Sequence, residues 1–168
     1  MPFIETKGIT EAQESEAVPE GTYHVRNHSA ELKDSSNSGK PMIVVMSVVE
    51  DPEHPNAAPI NTYLSLPHDD DEERARNFKL LQIRRFCEAF EIPFDDNGFD
   101  TDDIAGTEGE IMVAQEMVRP RGGDGQPDLS KPEFPVNRLV LPRLVNEPVE
   151  EEKPKAGKGG KPSSARRR

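Results

Sequence analysis

Hydrophobic positions change period along this 168-residue chain, and the first half of the pattern predicts three strands. Residues 22–32, TYHVRNHSAEL, are rich in strand formers, but the apolar residues change face part-way, which predicts a bulge in a long first strand. Residues 41–49, PMIVVMSVV, are apolar on both faces, so we expect this strand to be central or covered on both sides. Residues 60–67, INTYLSLP, alternate and form the third predicted strand, with Ile60, Thr62, Leu64 and Leu66 facing inward.

The period then changes to that of a helix, predicted from about Asp71 to Phe90. Its apolar side is expected to pack on the sheet and consists of Phe78, Leu80, Leu81, Ile83, Phe86, Cys87 and Phe90. Residues 108–118 and 136–144 are predicted as strands four and five. Three strands, a helix and two strands are typical of the five-stranded OB barrel, although other α+β sandwiches could share this order. The predicted fold is therefore mainly β, an OB-like barrel with one helix between strands 3 and 4 and with disordered termini.

Composition divides the chain into a flexible acidic segment (1–18), the OB-like barrel domain (19–146) and a disordered tail that is first acidic and then basic (147–168). The formal net charge is −11, but residues 153–168 contain seven of the 21 Lys and Arg and no acid. Residues 1–152 therefore carry a formal charge of −18. The basic end is interpreted either as an interaction arm for an acidic partner or as a solubilising end.

Four histidines and one cysteine do not form a recognisable metal or catalytic pattern. His24 and His28 are four apart on a strand, hence about 13 Å apart at roughly 3.3 Å per residue, too far to share an ion. The acidic stretch DDNGFDTDD lacks the glycine and glutamate positions of a calcium-binding EF-hand loop. No nucleophile, phosphate or dinucleotide motif is present, and Cys87 is expected to be buried. We therefore expect no enzyme, no metal site and no cofactor.

The beginning of the chain has no positively charged start and no apolar stretch typical of a signal peptide. No segment approaches the roughly 20 apolar residues that a membrane helix needs. These features predict a soluble intracellular protein with no membrane partner.

Basic and aromatic residues are placed where an OB barrel binds oligonucleotides, on the face of strands 2 and 3 and in the flanking loops. Tyr63 points away from the predicted core and is the best candidate for stacking on a base, with Tyr23 and Phe134 near the same loops. The alternative is that Tyr23 and Phe134 belong to the core and that the basic residues are ordinary solvated surface. The candidates for contacting phosphates are Arg26, Lys33, Lys40, Arg119, Arg121, Lys131 and Arg138, with Arg143 nearby.

Three stretches resemble a family of small phage-encoded proteins taken to be single-stranded-DNA-binding or recombination-accessory proteins. They are PEGTYHVRNHSAELKDSSNSGKPMIVVMSVV, the helix end RRFCEAFEIP and the turn IAGTEGEIMV, and together they lie between Pro19 and Leu144. The resemblance implies an OB-like barrel that acts in phage DNA replication or recombination in the host cytoplasm. Such proteins often end in an acidic tail that recruits partners, whereas here an acidic stretch is followed by KPKAGKGGKPSSARRR. This difference favours a tail that adds electrostatic contact to nucleic acid.

The sequence-based hypothesis is thus a non-enzymatic, sequence-tolerant single-stranded-DNA-binding protein. Its expected partners are single-stranded nucleic acid and phage replication or recombination proteins. The main alternative is a structural or protein-interaction module, such as a virion component or an adaptor, which would explain the acidic body more simply. A third idea, a carbohydrate- or metal-assisted enzyme on a similar barrel, lacks a convergent set of catalytic side chains.

Overall fold

The computed structural model describes residues 2, 4, 5 and 7–144, and its centre is one antiparallel sheet of five strands. Single 3-10 turns cover Ile9–Glu11 and Thr101–Asp103. The predicted mainly β fold with one helix between the third and fourth strands is confirmed. In chain order the elements are β1 (Gly21–Asp34), β2 (Pro41–Val49), β3 (Ile60–Ser65), α1 (Glu73–Ala89), β4 (Glu108–Val118) and β5 (Phe134–Val140).

The sheet is open, so the predicted closure into a barrel is wrong. The strand order is β3-β2-β1-β4-β5, and closure would require β3 to pair with β5. Some Cα atoms of these two strands lie within 8 Å of each other, but no backbone ladder joins them in the described part of the chain. They are the two shortest strands, with six and seven residues. Pro135 also removes one of the N–H donors that a ladder along β5 would need.

A bulge divides the first strand, as the change of face in the sequence predicts. β1 pairs with β4 through Gly21–Arg26 and with β2 through Val25–Asp34, and its register with β2 shifts between Asn27 and Ser29. His28 is therefore the extra residue. Because of this extra residue, Val25 before the bulge and Ala30 after it both face the core, whereas Leu32 near the end of the strand stays 60% exposed.

β2 lies between β1 and β3, which confirms its predicted central position. Its inward side chains, Ile43, Val45, Ser47 and Val49, are buried. Of the two predicted alternatives, central or covered on both sides, the first therefore applies, because the outward side chains stay partly exposed. The outward side chains of β2 are Met42, Val44, Met46 and Val48, and we call these four residues the outer apolar row.

Helix α1 covers the inner face of the sheet with its second half. Ile83, Phe86 and Cys87 are buried together with Phe90, the residue after the helix, as the periodicity predicts. Packing of the first half on the sheet is not observed, since Phe78 is 62% exposed and Leu80 is 46% exposed. Desolvation raises the pKa of the Cys87 thiol to about 11, so this side chain acts as a small apolar residue.

No helix in the described part of the chain is both long and apolar enough to cross a membrane.

The end of the predicted flexible N-terminal segment packs on the sheet. The amide of Val18 donates to the side-chain oxygen of Asn137 at 2.7 Å, and Val18 is buried, so the last residues of the predicted flexible segment 1–18 pack on the fold. Glu16 also forms a bridge with Ala57. β5 begins two residues before its predicted start and ends four residues before its predicted end. The predicted disordered tail, 147–168, lies outside the described residues.

Candidate nucleic-acid interface

The outer apolar row forms the centre of a partly exposed sheet face. Neighbouring strands continue this face, because directly opposed residues of an antiparallel pair point the same way. Val44 is opposite Tyr63 of β3 on one side and opposite Glu31 of β1 on the other. From Met42 to Val48 the row is about 20 Å long at roughly 3.3 Å per residue. This length is enough for several contacts with an extended ligand.

Tyr63 stands on this face as the sequence alternation predicts. It is 61% exposed, and the described residues offer its hydroxyl no hydrogen-bond partner. Its neighbours along the outward side of β3, Asn61 and Ser65, are smaller. An aromatic ring that is both exposed and uncrowded can receive a nucleobase on its face.

Two predicted basic residues lie at opposite ends of the outer apolar row. Lys33 is opposite Met42, and Arg26 is opposite Val48. Lys33 is exposed and forms no ion pair with any described residue. Arg26 is already paired, with its Nε 2.8 Å from a carboxylate oxygen of Glu50 and its Nη2 on Glu108. Lys33 is therefore the freer of the two cations.

Lys40 does not face the outer apolar row as a free cation. Its Nζ lies 3.0 Å from Asp71 Oδ1, and Lys79 Nζ lies 2.8 Å from Asp71 Oδ2. The backbone N–H of His68 also donates to this carboxylate, at 2.8 Å. These three donors hold the pKa of Asp71 well below its usual value, the Lys79 hydrogen bond contributing most. The arrangement ties the β1–β2 loop to the start of α1.

The β4–β5 loop contains three of the predicted basic residues, Arg119, Arg121 and Lys131. The Arg119 guanidinium donates to the backbone oxygen of Lys131 at 3.0 Å and pairs with Glu133 at 3.2 Å, so it holds the two ends of the loop together. Lys131 lies 3.7 Å from Asp128. Only Arg121 of these three has no ion pair among the described residues, and it is exposed.

The remaining predicted residues have mixed placements. Arg138 lies on the outward side of β5, 3.9 Å from Glu116. Phe134 is 44% exposed at the start of β5. Tyr23 instead packs against the core, donates its hydroxyl to the Pro19 carbonyl at 2.6 Å and meets the His54 ring edge-on. The role of Tyr23 is therefore structural, which agrees with the alternative prediction that this residue belongs to the core.

A cluster that the sequence analysis did not predict lies beside Arg26. His24 Nδ1 is 3.0 Å from Glu110 Oε1, and its Nε2 is 3.1 Å from Glu108 Oε2. Hydrogen bonds to these two carboxylates, that of Glu110 first, raise the pKa of His24. The alternation of β1 places His24 and Arg26 on one face, but their partners depend on the register between distant strands.

A recess among the described residues lies elsewhere, in the acidic loop 93–101. It is open, has a volume of about 610 Å³ and includes the partly exposed ring of Phe94. Its other lining groups include Asp95 and Asp100. None of the predicted phosphate-binding residues lines it, so it does not extend the candidate interface.

Comparison with known proteins gives a family but no activity. A family model described as a protein of unknown function (DUF669) matches residues 6–120. The match includes β1 to β4 and α1 and ends before β5. None of the curated proteins matches the chain. Since the family model covers more than half of the sequence, the chain belongs to the DUF669 family.

Proposed function

We propose that this protein binds single-stranded DNA without strong sequence preference, through the outer face of β1, β2 and β3, in phage DNA replication or recombination. The observation that carries the proposal is the exposed ring of Tyr63 beside the partly exposed outer apolar row. Apolar and aromatic side chains that are exposed together are typical of a binding surface, and a surface that binds bases needs both. The resemblance of the sequence to phage single-strand-binding proteins supports the same function.

The proposed binding mode uses bases on the row and phosphates along its sides. Tyr63 stacks on one base, and the Met and Val side chains of the outer apolar row contact the neighbouring bases, since every base has an apolar face. Lys33 neutralises phosphate at one end of the row, and Arg121 does so from the β4–β5 loop. Arg26, Lys40, Arg119, Lys131 and Arg138 contribute less to affinity, because each is already paired with a carboxylate.

Electrostatics make this binding weak and dependent on salt. Residues 1–152 carry a formal charge of −18, and Glu31 lies on the proposed binding face opposite Val44. A polyanion follows the local field of basic side chains rather than the net charge, but an acidic body still lowers its affinity. We therefore expect affinity to fall as salt rises, with a small number of phosphate contacts.

A single substitution on the proposed face tests the proposal. Tyr63→Ala should weaken binding of a fluorescently labelled dT oligonucleotide by about 1–3 kcal/mol, which is the loss typical of one stacked base. The measurement is an anisotropy titration of the full-length protein at low salt, with unlabelled duplex as competitor.

Phe78→Ala is the matched control for this substitution. Phe78 has nearly the same exposure as Tyr63, 62% against 61%, but it lies on α1 rather than on the proposed face. The control should bind the oligonucleotide like the wild type. Equal affinities of wild type and Tyr63→Ala, both folded by circular dichroism, would remove the stacking role and the proposal with it.

A protein-interaction module is the second candidate function, and the exposed apolar side chains of α1 favour it. Phe78 and Leu80 lie on the first half of the helix. Their periodicity predicts packing on the sheet, but the described residues leave them 62% and 46% exposed. A helix with exposed apolar residues can dock on another protein. A defined high-order assembly in size-exclusion chromatography without DNA, lost in Phe78→Ala, would favour this function over DNA binding.

A further inference from the structure

We infer that His24, Glu50 and Glu108 form a binding site for one divalent transition-metal ion, of which Zn²⁺ is the closest match. One nitrogen and two carboxylate oxygens from these residues lie within 4.8 Å of one another. They come from three different strands or strand ends, so the fold itself brings them together. Neither the family description nor the proposed DNA binding assigns such a site.

The distances agree with ligands that share one ion. Two ligand atoms that one zinc ion binds tetrahedrally at about 2.1 Å are roughly 3.4 Å apart. His24 Nε2 lies 3.1 Å from Glu108 Oε2 and 3.9 Å from Glu50 Oε2. Both distances from His24 Nε2 are thus within about 0.5 Å of the separation expected for two ligands of one ion. Each of the three side chains is about two-fifths exposed, which leaves the remaining coordination positions to water.

The groups around the three ligands are those that orient a metal site. Glu110 accepts from the other ring nitrogen of His24 at 3.0 Å, which is the usual outer-shell partner of a metal-binding imidazole. Arg26 binds one oxygen, Oε1, of each ligand carboxylate and leaves the second oxygen, Oε2, to face His24. The orientation of both carboxylates is thus fixed by a guanidinium that is not itself a ligand.

Backbone pairing holds the site in place. His24 and Arg26 of β1 are opposite Glu110 and Glu108 of β4 in the sheet register. The backbone N–H of Glu50 donates to the His24 carbonyl at 2.8 Å, so the residue after β2 is fixed beside the imidazole. A site on paired strands keeps its geometry better than one on a loop.

The charge of the cluster also matches a divalent ion. Three carboxylates and one guanidinium leave two negative charges uncompensated when the imidazole is neutral. One divalent cation balances them. Imidazole with carboxylates suits Zn²⁺ and its transition-metal neighbours better than Mg²⁺ or Ca²⁺, which prefer oxygen ligands alone.

A second group of metal-ligating residues, Asp51, Glu53 and His54, does not support the same inference. Asp51 Oδ1 already accepts the backbone N–H of Glu53 at 2.9 Å within a tight turn. His54 contacts the ring of Tyr23. This group therefore serves as an internal comparison in the test.

Calorimetric titration of the full-length protein with Zn²⁺ tests the inference, with Co²⁺ as the spectroscopic probe. We expect one ion per chain and, with Co²⁺, visible absorption bands of a site with fewer than six ligands. His24→Gln should weaken binding at least tenfold and remove the bands. Glu110→Gln should weaken binding about 10- to 100-fold, as loss of an outer-shell partner does.

His28→Gln is the matched control, because His28 lies on the same strand, is exposed and has no described side-chain partner. It should bind Zn²⁺ like the wild type, and circular dichroism should show all variants folded. The inference is overturned if the wild type takes up no ion. It is also overturned if binding survives His24→Gln, and loss in His54→Gln would then place the ion at the comparison group. Since no DNA is present, none of these outcomes depends on the proposed function.

Discussion

At the scale of single residues, two lysines that are close in the sequence differ in whether they form an ion pair. Lys33 and Lys40 both lie near the β1–β2 loop. Lys33 has no described ion pair, whereas Lys40 shares the carboxylate of Asp71 with Lys79. The same chemical type therefore holds a loop at one position and has no described ion pair at the other.

Asp71 gives a pH dependence of stability whose sign follows from its lowered pKa. A carboxylate with a folded-state pKa below its unfolded value near 3.8 stabilises the fold above that value. The stabilisation is lost as pH falls from about 4 toward the folded-state pKa. Wild type should thus exceed Asp71→Asn in its urea unfolding midpoint at pH 7, and the difference should shrink below pH 4.

Asp96→Asn is the control for the Asp71 prediction, since Asp96 is exposed and has no described partner. Its unfolding midpoint should follow that of the wild type from pH 7 to pH 3. A gap between wild type and Asp71→Asn that stays constant over this range would contradict the ion-pair explanation.

At the scale of elements, the contact between α1 and β4 depends on a residue without a side chain. A Cβ placed on Gly109 would lie 2.9 Å from the backbone oxygen of Ala89, at the end of the helix. The atom it would meet is backbone and cannot rotate away. Gly109 therefore sets the distance between the helix end and the sheet.

Gly109→Ala should lower the free energy of unfolding by about 1–3 kcal/mol, the usual cost of overpacking. Gly123→Ala is the matched control, because its added Cβ would meet nothing within 4 Å in the β4–β5 loop. Chemical denaturation of both variants provides the measurement. If both variants lose the same stability, close approach at Gly109 is not the cause.

The elements themselves could be predicted because their signals are local. β4 has the predicted bounds, 108–118, since loops border a clear strand pattern on both sides. The bulge of β1 followed from a change of face within one segment. The exposed start of α1 was missed because periodicity finds an apolar side but cannot tell how much of it the sheet covers.

Features that depend on distant pairing could not be predicted. Closure depends on whether β3 meets β5, and no local pattern reports that contact. The cluster around His24 joins residues 84 and 86 positions apart in the chain, and a one-residue slip between β1 and β4 would separate them. Tyr63 was predictable, because its exposure requires only the alternation of one strand.

At the scale of the whole molecule, charge is distributed unevenly between the acidic body and the basic end of the sequence. Residues 153–168 carry seven basic side chains and no acid. Such a segment can attract a polyanion by itself, so DNA binding by the full chain does not identify the binding surface. We propose that the sheet face, and not this segment alone, binds single-stranded DNA.

The most direct measurement is an anisotropy titration of labelled dT oligonucleotide, at low and moderate salt, with the full-length protein and with a chain that ends at Glu152. If the sheet face binds DNA, the shortened chain should still bind, its affinity should fall with salt, and duplex DNA should compete poorly. Binding that disappears with residues 153–168 would contradict binding by the sheet face, because a basic arm would then be the whole DNA-binding site.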